Sequence, residues 1–168
     1  MEQLHIAIAG NPNAGKSTIF NALTGSKQHV GNWPGKTVEK KEGTFQLGEL
    51  QVNVVDLPGT YSLAALSPEE IIARDYILNE HPDLVLTVMD ASNLERNLYL
   101  AVQVLELGVP VLVLLNMVDV AESRGIRIDE ERLSQALGSP IIRSIASKGV
   151  GVGELKEAIV NYAEGLTA

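Results

Sequence analysis

Cysteine is missing from the 168-residue chain. No disulfide framework and no thiolate metal site can therefore be built, which suits a reducing compartment such as the cytosol. Positive charge is in deficit: 13 Lys and Arg against 21 Asp and Glu leave a formal charge of −8. That balance argues against the broad phosphate-backbone footprint of a nucleic-acid binder and against adsorption to an acidic membrane surface. Long apolar runs are lacking too. The longest stretch, from Val109 to Val118, is interrupted by Pro110 and Asn116 and falls far short of the roughly 20 residues that a membrane helix needs. The N-terminal residues lead straight into a short apolar run ending at a glycine-rich loop, so no signal peptide is expected. There is no internal repeat and no low-complexity tract. What remains is an ordinary globular composition, 45% hydrophobic and 20% charged, of a length that suits one compact α/β domain over residues 1–168. The chain is expected to be soluble.

Runs rich in β-branched and aliphatic residues at Leu4 to Ala9, Val52 to Asp56, Leu84 to Asp90, Val111 to Asn116 and Ile141 to Ser144 predict strands, most of them apolar throughout as in a sheet covered on both faces. Helical patterns lie between them at Lys16 to Leu23, Pro68 to Leu78, Leu94 to Leu107, Asp129 to Leu137 and Gly153 to Tyr162. Ser67, Pro68 and Glu70 supply a capping serine, a proline at the first helical position and a glutamate three residues on, and Asp129 suits the start of the next-to-last helix. The stretch Thr44 to Asp56 reads as a hairpin adding one antiparallel edge strand. The alternation predicts an α/β fold, a six-stranded, mostly parallel sheet with helices on both faces; the run Gly10 to Ser17 after its first strand makes the expected fold a P-loop NTPase. The segment Gly25 to Gly43 shows no convincing periodicity and reads as a functional or mobile loop.

Gly10-Asn11-Pro12-Asn13-Ala14-Gly15-Lys16-Ser17 fits G-x-x-x-x-G-K-[ST] between a strand and a helix, the context that the motif requires. Glycines let successive N–H groups turn inward toward phosphate oxygens, and the helix that begins at Lys16, Ser17 and Thr18 adds its positive end. Lys16 is expected to reach the β- and γ-phosphates and the Ser17 hydroxyl to ligate Mg²⁺. About 40 residues on, Asp56-Leu57-Pro58-Gly59 ends a strand beside that loop. Asp56 is expected on Mg²⁺ and the Gly59 N–H near the γ-phosphate. Thr60 to Ser67 would follow as a mobile segment. Asn116-Met117-Val118-Asp119 resembles the N-K-x-D guanine signature, in which the aspartate accepts from the N1–H and 2-amino groups that adenine lacks. Met117 replaces the lysine. In Ile145-Ala146-Ser147-Lys148-Gly149, the position of a guanine-closing Ser-Ala-Lys loop, Ile145 replaces the serine while Ala146 can offer its N–H to the base carbonyl.

These elements in this order describe a Ras-like GTPase. Within that superfamily, Asn32-Trp33-Pro34-Gly35-Lys36-Thr37-Val38-Glu39 resembles the first switch of the FeoB ferrous-iron transporters. The likeness continues through Asp56 to Leu63, through Asp90 to Leu98 and through Met117. The resemblance implies GTP and GDP as ligands, Gly35, Lys36 and Thr37 at the nucleotide, Thr37 on Mg²⁺ in the GTP state, and Asn13 supporting a potassium ion. It also implies a helical regulatory domain and a polytopic membrane region as partners in a longer parent, with this module on the cytoplasmic face of the cell membrane and oligomers formed by the full-length protein.

Thr60 stands where many small GTPases carry the water-orienting glutamine, and no arginine precedes Arg74, so no arginine finger comes from the first switch. Catalysis would rest on Asn13, Lys16, Thr37 and Gly59, at about 10⁻⁴ to 10⁻² s⁻¹ without potassium. Three alternatives stay open: an RNA-associated GTPase, which the acidity disfavours; a nucleotide-binding regulator with negligible catalysis; and an ATP-using enzyme, in which Asp119 would have no purpose. His5, His29 and His81 are too scattered for an iron site. Trp33 is expected to stack on the base or a partner, or to pack on its own loop. Glu39 to Glu42 reads as a solvated edge, and the apolar stripe of Leu94 to Leu107 as core.

Overall fold

The computed structural model describes residues 2–167. Seven strands form one sheet in the order β2-β3-β4-β1-β5-β6-β7. They are β1 (Gln3–Gly10), β2 (Gln28–Asn32), β3 (Glu39–Leu47), β4 (Leu50–Asp56), β5 (Leu84–Asp90), β6 (Val111–Asn116) and β7 (Ile141–Arg143). β1 runs parallel to β4 on one side and to β5 on the other, while β3 is antiparallel to both β2 and β4. The sheet order therefore reverses around β1. In such a sheet the crevice outside the carboxyl end of the strand at the reversal is where ligands sit.

The helices are α1 (Lys16–Thr24), α2 (Pro68–Glu80), α3 (Leu94–Glu106), α4 (Val118–Ser123), α5 (Glu130–Leu137) and α6 (Val152–Thr167). Ile19, Phe20 and Leu23 of α1 and Leu155, Ile159 and Ala163 of α6 pack against Ile6, Ile8, Val54 and Leu86 on one face. Ile72, Ala73 and Ile77 of α2 with Leu100 and Val104 of α3 cover Ala7, Ala9, Val55 and Val85 on the other. This two-sided burial explains why the central strands read as near-continuous apolar runs. α2 starts as expected, the Ser67 hydroxyl accepting from the Glu70 N–H at 3.2 Å. α5 starts with Asp129 accepting from the Arg132 N–H at 3.0 Å.

The sheet has one strand more than the six expected. β2 lies inside the segment read as aperiodic, and three of its five residues, Gln28, His29 and Asn32, are exposed polar side chains. Its pairing with β3, from Gln28 opposite Gly43 to Asn32 opposite Glu39, rests on ladder hydrogen bonds rather than on a buried face. A strand held that way leaves no alternation of apolar residues to read. The short α4 was also absent from the hydrophobic pattern. Among the described residues no helix is long and apolar enough to cross a membrane.

Candidate functional site

The phosphate loop turns out of β1 at Gly10 and enters α1 at Lys16. Two residues take left-handed conformations, Asn13 at φ 69° and Gly15 at φ 104°. A side chain at Gly15 would place its Cβ 2.1 Å from the Asn116 amide nitrogen, so this turn admits only glycine. No side chain caps the start of α1, which leaves the first-turn N–H groups directed at the cleft. The cleft has a volume of about 480 Å³, and its walls include Asn13, Lys16, Ser17, Thr18, Gly59 and Met117. Gly59 packs closely on the loop: a Cβ there would lie 3.1 Å from Pro12 Cα.

At its floor Lys16 Nζ donates to Asp56 Oδ1 at 2.9 Å, both side chains being less than a tenth exposed. Burial raises the Asp56 carboxyl above its ordinary range, against the opposing pull of the Lys16 charge and hydrogen bond and of the more distant Lys41 charge. The pair holds a cation and a carboxylate together where a phosphate oxygen and a divalent cation would separate them. Ser17, exposed at the rim, and Asp56 are hard oxygen donors of the kind Mg²⁺ takes. Asn13 presents an amide in the same cleft.

On the base side Asn116 is a buried cross-brace. Its Nδ2 donates to the Ala14 carbonyl at 3.0 Å, while its Oδ1 accepts from the Ser144 hydroxyl and from the Ala146 N–H, each at 3.0 Å. One amide thus ties the phosphate loop to the 144–146 turn. Ser144, fully buried, supplies the hydroxyl that Ile145 does not. Ile145 instead closes the small loop by exchanging backbone bonds with Val150 at 3.0 and 3.2 Å. Ser144 was not among the site residues expected; in the sequence it is a serine after Arg143 at the end of a short strand, with no signal of its buried role. Met117 adopts φ 60°, turning the chain into α4. Asp119 in the first turn of α4 lies 3.7 Å from Lys148 Nζ, and Ser147 is exposed beside it. The Ala146 N–H that was expected to face a base carbonyl is engaged by Asn116.

The first switch lies elsewhere. Gly35, Lys36 and Thr37 are exposed, stand on the turn that joins β2 to β3, and are not among the residues lining the cleft. Trp33 anchors that turn. It is only 7% exposed, meets Tyr76 of α2 edge-on with ring centres 5.7 Å apart, and has Lys40 Nζ 4.7 Å from its ring centre. Of the arrangements expected for Trp33, packing within its own hairpin is seen, through Val38 and Lys40, and its ring also packs on Tyr76 of α2 instead of standing exposed. Burial of Tyr76 itself pushes its hydroxyl up to about 12, with the charges of Glu80 and Glu42 adding to the shift. The charged residues nearby pair on the partly exposed start of β3, Lys40 with Glu42 at 3.7 Å and Lys41 with Glu39 at 3.8 Å; β3 is not the sheet edge expected there, because β2 lies outside it.

The segment after Gly59 is held at several points. The Thr60 N–H donates to the Gly10 carbonyl at 3.1 Å, and the Leu63 N–H to Gln103 Oε1 of α3 at 2.6 Å. Glu70 accepts from the Ser62 and Ser67 hydroxyls, and the Ser62 bond is the main reason its carboxyl sits below the usual range. A larger hollow, about 680 Å³, lies across β1–β4 and includes His5, His29 and Glu42. Among the described residues no group of three or more His, Cys, Asp and Glu is arranged to hold a metal ion; the motif residues line the glycine cradle and not that larger hollow.

A cradle at the reversal point of a doubly wound sheet, floored by a lysine–aspartate pair and braced by an asparagine, defines a Ras-like P-loop nucleotide-binding fold. The chain belongs to the FeoB_N family, described as ferrous iron transport protein B, whose family model matches residues 4–159. It is 54% identical to the Fe(2+) transporter FeoB of Escherichia coli K12 over 166 residues, covering 96% of this chain and 22% of that protein. The chain thus spans about a fifth of the length of the curated relatives it matches. Among solved structures, the FeoB G-domain from Methanococcus jannaschii superposes with a TM-score of 0.86 at 49% identity, covering 98% of this chain and 99% of that one. The cytosolic domain of T. maritima FeoB in its GMPPNP form gives 0.89 at 47% identity, covering 95% and 64%.

Proposed function

We propose that the chain is a G domain that binds GTP and GDP with Mg²⁺, hydrolyses GTP slowly, and regulates ferrous-iron transport by a longer parent protein. In that parent it would form one domain at the cytoplasmic face of the membrane, followed by helical and membrane regions. The observation that carries the reading is the Lys16–Asp56 pair, 2.9 Å apart at the floor of the glycine cradle. A relative solved in a GMPPNP form supports it.

Gly10 to Thr18 would wrap the phosphates, with Lys16 leaving Asp56 for the β- and γ-oxygens. Ser17 and Asp56 would hold Mg²⁺, joined by Thr37 once the first switch closes with Gly35 and Lys36. When bound, the ion supplies positive charge against the oxygens of the triphosphate. Leu57 and Pro58 would carry Gly59 so that its N–H faces the γ-phosphate. Asn116, Met117 and Asp119 would read guanine, closed over by Ala146, Ser147 and Lys148. Asn13 would hold a potassium ion, standing in for the missing arginine charge.

The contacts of Thr60 favour one further reading, a regulator with negligible turnover. Its N–H is committed to Gly10, and no glutamine follows Gly59. Calorimetry with Mg·GTP, Mg·GDP and Mg·ATP tests binding: heat is expected with the guanine nucleotides and none with ATP, and silence with all three defeats the proposal. Single-turnover hydrolysis in sodium and in potassium separates the switch from the regulator. Faster turnover in potassium, lost in Asn13→Ala, is the expected result; equal rates reject the cation role.

A further inference from the structure

Beside the phosphate cleft is a smaller hollow of about 200 Å³ whose walls include Asn11, Asn13, Tyr61, Asp90, Arg96 and Asn97. A stack borders it, with the Arg96 guanidinium carbon 4.0 Å from the centre of the Tyr61 ring. Arg96 belongs to the first turn of α3, and its carbonyl receives the Asn11 amide at 3.5 Å. One residue therefore meets the phosphate loop through its main chain and the segment after Gly59 through its side chain. That turn of α3 is itself fixed, since buried Asn97 accepts from the Asp90 N–H at 3.1 Å and donates to the Asn93 carbonyl at 2.8 Å. Arg96 thus stands on a rigid mount, whereas Tyr61 is 44% exposed and belongs to a segment without regular structure.

We propose that Arg96 is a positioning residue: its stack on Tyr61 latches the 60–63 segment to α3 in an arrangement that suits a diphosphate and opposes a triphosphate. The proposal rests on the nucleotide-switch reading above. A γ-phosphate must enter beside Gly59, which already packs tightly on Pro12. Making room moves Gly59, and Tyr61, two residues along, moves with it. The stack is then lost on binding triphosphate and kept on binding diphosphate, so its free energy weakens one and not the other.

The test is the ratio of affinities for a non-hydrolysable GTP analogue and for GDP, measured by titration with Mg²⁺ in the unsubstituted protein and in Arg96→Ala, Tyr61→Ala and the double variant. Each single change is expected to raise the ratio in favour of the triphosphate by about two- to fivefold, the weight of an exposed cation on an aromatic ring. GDP affinity should stay unchanged, and the double variant should match either single one. Tyr61→Phe keeps the ring and should restore the parental ratio, an outcome that a general loss of structure would not produce. An unchanged or lowered ratio, or single effects that multiply in the double variant, overturns the latch. If the unsubstituted protein binds neither nucleotide, the switch reading itself falls and the latch with it; binding with an unaltered ratio rejects the latch alone.

Discussion

The base side and the switch side of the cleft are held in different ways. On the base side one buried amide, Asn116, makes three hydrogen bonds at 3.0 Å that join the phosphate loop, Ser144 and Ala146. On the switch side the first loop is exposed from Pro34 to Thr37 and is fastened by one aromatic anchor, Trp33. The second segment depends on a stack, on bonds from Thr60 and Leu63, and on serine–glutamate contacts. A fully satisfied buried network is rigid, because breaking any member strands the others. Surface stacks and single bonds weigh little each and can be exchanged. On the proposed reading, recognition would be preorganised in this fold, while the response to a third phosphate would be left to contacts that can be given up.

The largest effect expected is at the floor that both sides share. Lys16→Ala removes the partner of a buried carboxylate, so stability should fall by about 3 kcal/mol in chemical denaturation and nucleotide binding should be lost. Pairing Lys16→Met with Asp56→Asn should recover most of the stability and none of the binding, since the stranded charge is gone but the phosphate ligand is not restored. Recovery of both would break the assignment of Lys16 to phosphate. Next comes Asn116→Ala, which leaves the Ala14 carbonyl, the Ser144 hydroxyl and the Ala146 N–H without this partner. At about 1–3 kcal/mol for each buried group left unmade, a loss of at least 2 kcal/mol is expected, with GDP and GTP affinity falling together. A fall in GTP affinity alone would erase the distinction between the two sides.

Much of the rigid half was legible in the sequence. The strands over Leu84–Asp90 and Val111–Asn116 were read with their observed limits, because two-sided burial writes an uninterrupted apolar run. The glycine spacing of the cradle and the cap at Ser67 were equally plain, since backbone geometry there demands particular residue types. The switch half was legible only as motif. β2 carries no buried face, so periodicity could not reveal it. The packing of Trp33 on Tyr76 joins residues 43 positions apart in the sequence through tertiary contact alone. Arg96 stood out only as part of the run from Asp90 to Leu98, and Ser144 only as the end of a strand, because what distinguishes each is a neighbour supplied by the fold.

A smaller effect uses the chain's single tryptophan. With Trp33 buried against Tyr76, the proposed closing of Thr37 onto a Mg²⁺-bound triphosphate is expected to draw the anchor away from α2. Its emission should shift to the red with the GTP analogue and stay in place with GDP. An identical spectrum in both would show that the first switch reaches the nucleotide without releasing its anchor.

The smallest effect expected is at Glu70. The Ser62 hydroxyl, helped by Ser67 and the Ala64 backbone and opposed by desolvation, holds its carboxyl below the ordinary value of 4.5. A group whose folded pKa is depressed contributes stability that is complete above the unfolded value and is lost as the pH falls through the folded one. The clasp around Ser62 and Ser67 is therefore intact at neutral pH and should fail only below about pH 4.5. Glu70→Gln removes the proton that is taken up, so its stability should decline less steeply than the parent's over that acid range when followed by denaturant melts at successive pH values. Because the contacts lie at the surface and solvent screens them, the difference at neutral pH should be slight. Parallel curves below pH 4.5 would show that the serine hydroxyls do not favour the charged form of Glu70, and the second segment would lose one of its proposed holds.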